Sequence, residues 1–183
     1  PTGLTEDRWA KSVEIVEVND VNNEQGTGRD TVGGRYIFHH MIWGTADLDE
    51  NGERIPSTNT SWPVHEVGRN PDIFDPDGGR LLKAGTYIVS DSVHLHSNGK
   101  DTTGHLEIGF RFHEKGYEPK YERVNLGLGN GVDISIAGNQ RDQELHAYTV
   151  LQQHTKIITF EPHLHAPGER MCLEAIWGYT IET

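Results

Sequence analysis

The stretch His105-Leu106-Glu107-Ile108-Gly109-Phe110-Arg111-Phe112 alternates polar and apolar residues without a break. Successive side chains of a β-strand point to opposite faces, so this pattern buries one face and wets the other. The same rhythm recurs at Val13-Glu14-Ile15-Val16-Glu17-Val18, Val132-Asp133-Ile134-Ser135-Ile136 and Ala147-Tyr148-Thr149-Val150-Leu151. Aromatic and β-branched runs from Arg35 to Trp43, from Tyr87 through His96, at Lys156-Ile157-Ile158-Thr159-Phe160 and from Cys172 to Trp177 complete the set. Clusters of Gly, Asn and Pro separate them, and no long amphipathic helix pattern is present. The expected fold is all-β, built as antiparallel sandwiches.

Two stretches interrupt the rhythm. Gly44 to Gly79 is long and polar and carries Pro56, Pro63, Pro71 and Pro76, so it is expected as an extended loop over a sheet. Glu114-Lys115-Gly116-Tyr117-Glu118-Pro119-Lys120 reads as a boundary. The chain is therefore expected to form two antiparallel β-sandwich (jelly-roll-like) modules, residues 1–118 and 119–183, the second complete or partial. At 183 residues it is long enough to bury a core.

A formal net charge of -12 would repel nucleic acid phosphates and attract cations mildly. No apolar stretch approaches the roughly 20 residues of a membrane span. Cys172 is the only cysteine, so no intrachain disulfide can form. Its neighbours Met171 and Leu173 suggest a buried strand thiol. The chain opens at Pro1 with neither an initiator Met nor a signal sequence, as expected of a mature form or a fragment.

The histidines carry the chemistry. His94-Leu95-His96 and His163-Leu164-His165 are two copies of one string. On a strand such a pair presents both imidazoles on one face, a ready chelate for a metal that accepts nitrogen, copper or zinc first. His39-His40 follows the apolar run Tyr36-Ile37-Phe38 and precedes Met41-Ile42-Trp43-Gly44, which reads as core. Adjacent strand residues face opposite sides, so these two can share one metal only where the strand is bulged or twisted. His65, His105, His113, His146 and His154 are isolated and read as surface or hydrogen-bonded groups. Asp47-Leu48-Asp49-Glu50-Asn51-Gly52 opens like a calcium loop, but Thr58 stands where the closing acid belongs, so it reads as a solvated turn. There is no phosphate-binding glycine loop and no nucleophile elbow.

The order of these clusters resembles that of the copper type II, ascorbate-dependent monooxygenases, the family of peptidylglycine α-hydroxylating and dopamine β-monooxygenase. A His-His pair after an aromatic strand comes first, then Val93-His94-Leu95, then Pro162-His163-Leu164-His165 followed by Gly168-Glu169-Arg170-Met171. Bacterial proteins with the same core are more similar still, with an opening like Pro1-Thr2-Gly3-Leu4-Thr5-Glu6-Asp7-Arg8-Trp9. The resemblance spans nearly the whole chain and rests on short motifs and their order. It implies up to two copper ions in two sandwiches. His39, His40 and His94 would hold the electron-relaying copper, and His163 and His165 the copper that meets dioxygen. The family's methionine ligand lies farther downstream of the second pair than Met171 does, and the animal members have disulfides that this chain lacks. His96 has no clear counterpart in those members and could join or compete with His94.

The implied activity is hydroxylation of a C–H bond with dioxygen and an ascorbate-like reductant, on a small molecule or a polymer, in the periplasm or outside the cell. The alternatives are a non-catalytic copper-binding or copper-transfer protein, a cupin-type metalloenzyme, and a β-sandwich interaction module with incidental histidines. The cupin motif would be His163, His165 and Glu169, but no later histidine follows to complete it.

Overall fold

The computed structural model describes residues 1–21, 35–69, 71–127, 135–164 and 168–183. The chain forms two compact units, Pro1–Arg123 and Val124–Thr183. The fold is all-β with antiparallel sheets, as the alternating sequence demands.

In the first unit two long strands each organise a sheet. β1 (Arg8–Asn19) and β2 (Phe38–Ala46) are the two centres. β2 pairs antiparallel with β3 (Thr60–Ser61), β4 (His65–Glu66) and β7 (Tyr87–Leu95). β1 pairs antiparallel with β5 (Asp72–Ile73), β6 (Arg80–Leu82) and β8 (Gly104–Phe112). The long partners β7 and β8 thus cover one edge of each central strand. The short strands share the other.

Those short strands correct the expectation of a loop between Gly44 and Gly79. An open strand edge leaves N–H and C=O groups unpaired, and this segment satisfies them in both sheets. Pro63, Pro71 and Pro76 fall between successive short strands. Proline has no N–H for a ladder, so each pairing ends after two or three residues. Pro56 opens the 3-10 turn Pro56–Thr58.

The core lies between the two sheets. Ala10, Val13 and Leu82 come from one sheet, Met41, Trp43 and Trp62 from the other side, and Phe74, Leu106, Ile108, Phe110 and Phe112 pack against them. Trp43 is only 1% exposed. It stacks on Trp62 with centroids 5.6 Å apart, and Phe110 meets Trp62 edge-on at 5.0 Å. Both indoles keep their polar atoms satisfied: Trp43 Nε1 donates to the Pro63 carbonyl at 2.7 Å and Trp62 Nε1 to Thr45 Oγ1 at 3.2 Å. Arg80 is buried beneath Trp62, with its guanidinium 5.2 Å from the ring centroid, and donates to the Ser61 carbonyl. Burial, with the Arg123 guanidinium nearby, pushes its pKa down to about 9, against a smaller opposing pull from Asp72.

The second unit holds one hairpin among its described residues, β9 (Ala175–Trp177) with β10 (Thr180–Glu182). Ala147–Leu151 and Lys156–Phe160, expected as strands, form none, and of the run Cys172–Trp177 only Ala175–Trp177 pairs. The run at Val132–Ile136 lies mostly outside the described residues. Alternation makes a strand only where a ladder and a covering layer exist, and Tyr148 and Val150 are 72% and 76% exposed. Cys172 is exposed, not the buried strand thiol its neighbours suggested. Among the described residues no helix is long and apolar enough to cross a membrane.

Candidate metal centre

The centre begins with an irregularity in the β2–β7 ladder. Phe38 stands opposite Leu95, but the next pair is His40 with His94. Two steps along β2 match one along β7, so His39 is the extra residue of a β-bulge, and His39 and His40 together oppose His94. A second shift lies beyond Met41: Ile42 pairs with Ser92 and Trp43 with Ser90, which leaves Asp91 as the extra residue on β7. The two shifts cancel. The register that holds at Phe38 and Leu95 holds again from Trp43 onward, so the core face of Met41 and Trp43 is kept while the end of the strand is re-aimed.

The bulge gives adjacent histidines what a regular strand denies them. The rings of His39 and His40 lie 4.2 Å apart with planes at 85°. The His94 ring is 5.4 Å from His39 and 5.9 Å from His40. One ring nitrogen from each of the three lies within 4.8 Å of the other two. His39 and His40 are half-buried and His94 is exposed, so the group opens to solvent on one side. Burial lowers the proton affinity of His39, and His96, His40 and His94 lower it further in that order, with Glu66 opposing. A site that disfavours imidazolium favours the neutral ring a metal needs.

The surrounding groups are Glu66, which the sequence did not single out, and two further histidines, His65 and His96. Glu66 stands opposite His40 on β4, with Oε1 3.8 Å from His40 Nε2. His65, read as an isolated histidine, is buried opposite Met41. It makes a backbone hydrogen bond to Phe38, burial lowers its pKa, and its buried Nε2 has no hydrogen-bond partner among the described residues. His96 continues the ladder beyond β7, its N–H donating to the Ile37 carbonyl at 2.8 Å. Its ring lies 3.9 Å from that of His39, with planes only 17° apart. The lone pairs of two nearly parallel stacked rings lie in separate planes, so His96 supports His39 from its face. No sequence pattern flags Glu66, and the His39-His40 pair only sets the bulge as a condition, because both depend on which strands become neighbours.

Of the other histidines, His105, His113, His146 and His154 belong to no such group among the described residues. His105 lies 3.4 Å from Glu107 and His146 3.5 Å from Glu144, both on exposed positions, and His154 is exposed. His113 stacks on Tyr117 at 3.8 Å. The Asp47–Gly52 segment is a tight turn whose carboxylate is engaged by its own backbone: Asp49 Oδ1 accepts the Glu53 and Asn51 amides at 2.8 and 2.9 Å. Those bonds, the Glu53 amide first, hold the Asp49 carboxyl below its usual range. In the second unit His163, Glu169 and Met171 are exposed and lie outside its hairpin, and His165 lies outside the described residues. Searches of family models, curated proteins and solved structures find no match to this chain.

Proposed function

We propose that this chain is a copper-binding protein of the monooxygenase type, in which His39, His40 and His94 hold one copper ion. The supporting observation is the bulge that sets three imidazoles around a common point, with nitrogens within 4.8 Å of one another. The donor set fits: neutral imidazole serves both oxidation states of copper, and the three converging donors are all imidazoles, with the Glu66 carboxylate beside His40. When bound, copper supplies one-electron transfer and, at a site of lower coordination, activation of dioxygen for attack on a substrate C–H bond. The work of the chain is to hold the rings. β2 supplies two ligands from one bulge, β7 supplies the third, and the exposed side of His94 leaves the centre open to a reductant.

His163 and His165 are the proposed ligands of the second copper, by the resemblance of their motif, and an ascorbate-like molecule is the proposed reductant. Function in the periplasm or outside the cell belongs to the same reading. A copper-binding or copper-transfer role is the second reading, because the three-histidine group is complete within the first unit alone.

Metal analysis after copper loading and removal of excess separates the two. Two coppers per chain, one lost in His94→Ala and the other in His163→Ala/His165→Ala, with oxygen consumption driven by ascorbate, support the monooxygenase. One copper, lost in His94→Ala, with no oxygen consumption, supports the carrier. Folded protein that retains no copper overturns both.

A further inference from the structure

We infer that the Glu17 carboxylate is the positioning group of the three-histidine centre. It binds the backbone immediately before the bulge and so fixes where the β2–β7 ladder departs from regular pairing. Glu17 lies on the same face of β1 as Val13 and Ile15, which point toward the core. A carboxylate on that face must be satisfied by hydrogen bonds. Both of its oxygens are used. Oε1 accepts the Ile37 N–H at 2.9 Å and the Asn19 side-chain amide at 2.6 Å, and Oε2 accepts the Phe38 N–H at 3.0 Å.

The two backbone donors are consecutive. In a regular strand successive N–H groups point to opposite edges, so they cannot both reach one carboxylate. Here they do, which means that the chain is turned at Ile37–Phe38. The next residue is His39, the extra residue of the bulge. The Ile37 carbonyl meanwhile accepts from the His96 amide at 2.8 Å. A side chain of one sheet thereby sets the geometry of the ligand-bearing strand in the other. Charge-assisted bonds of this kind are the stronger class, and a carboxylate offers two acceptor oxygens where a carboxamide offers one.

The functional consequence rests on the metal reading above; the structural claim does not. In metal-free protein, NMR of Glu17→Gln should show the His40–His94 pairing replaced by another register. In copper-loaded protein, Glu17→Gln should lower copper affinity roughly 10-fold to 100-fold and change the copper(II) EPR hyperfine splitting. Glu17→Asp, which keeps a carboxylate, should recover part of both, while the near-ultraviolet circular dichroism of Trp43 and Trp62 stays as in the wild type. A Glu17→Gln protein with the bulge and the copper spectrum unchanged overturns the inference. Wild-type protein that binds no copper at this centre overturns the metal reading, and the metal-free NMR comparison still decides the role of Glu17. Should Glu17→Gln not fold, wild-type NMR couplings across the hydrogen bonds from the Ile37 and Phe38 amides to the Glu17 carboxylate decide it: their detection supports the clamp and their absence overturns it.

Discussion

The imidazole of His96 lies face to face with that of His39, 3.9 Å between centroids and 17° between planes. The group whose nitrogens converge is His39, His40 and His94. Under the proposed copper reading, His96 therefore braces the ligand His39 and does not replace one. His96→Ala is expected to keep the copper stoichiometry of the first centre and to broaden or shift its EPR signal. His94→Ala is expected to remove that copper. Elemental analysis beside EPR on both variants checks this, and loss of the copper in His96→Ala would make His96 a ligand.

Gly44 sits in β2 where a side chain has no room. A Cβ built there would lie 2.6 Å from the Thr60 carbonyl oxygen, a backbone atom of the paired strand. Gly44→Ala should therefore force β3 away from β2 and destabilise the first unit by about 1–3 kcal/mol. Urea unfolding followed by tryptophan fluorescence measures it, and a midpoint equal to the wild type would refute the contact.

Trp43 fills the centre of the sandwich, and its loss leaves a cavity that the packed aromatic neighbours cannot close. Trp43→Ala should cost about 3–5 kcal/mol. Trp43→Phe keeps most of the apolar volume but abandons the bond to the Pro63 carbonyl, so it should cost less than Trp43→Ala. Calorimetric melting of the two variants gives the ranking, and the reverse order would contradict the packing described.

Stability of the metal-free protein should fall as the solution is made mildly acidic. Burial lowers the pKa of His65 and of His113, with Lys11 adding to the effect at His113. The unfolded chain binds these protons below its ordinary value of about 6.5, while the folded chain refuses them until a lower pH. Between those two values the unfolded state holds more protons, so stability rises with pH there and is lost as pH falls. Asp49 and Glu6, whose folded pKa values are lowered, act in the same direction only at lower pH, near and below the ordinary carboxyl range. Urea midpoints at about pH 7.5 and about pH 5.5 test the histidine window, and a His113→Gln protein should show a smaller difference between them.

Much of the first unit was legible in the sequence. The alternation of His105–Phe112 became β8 with Leu106, Ile108, Phe110 and Phe112 turned inward. Met41, Trp43 and Gly44 are core, as their run suggested, although Ile42 between them faces outward. The second unit was less legible. Ala147–Leu151 alternates as well as any strand, but alternation records only which residues would share a face and says nothing of whether a partner strand arrives to make that face a buried one.

The sequence by itself determined the all-β class, the inward residues of the long strands, and which side chains could bind a metal. Those properties are local: period-two alternation and imidazole chemistry need no distant partner. The resemblance grouped His39, His40 and His94, but only the tertiary structure shows their nitrogens converging, Glu66 facing His40, His65 buried, and Glu17 holding the Ile37 and Phe38 amides. Each of these depends on which strand lies beside which and on a one-residue shift in register. Residues far apart in the chain meet only when the ladders and the core fix that register, and no short stretch of sequence carries the information.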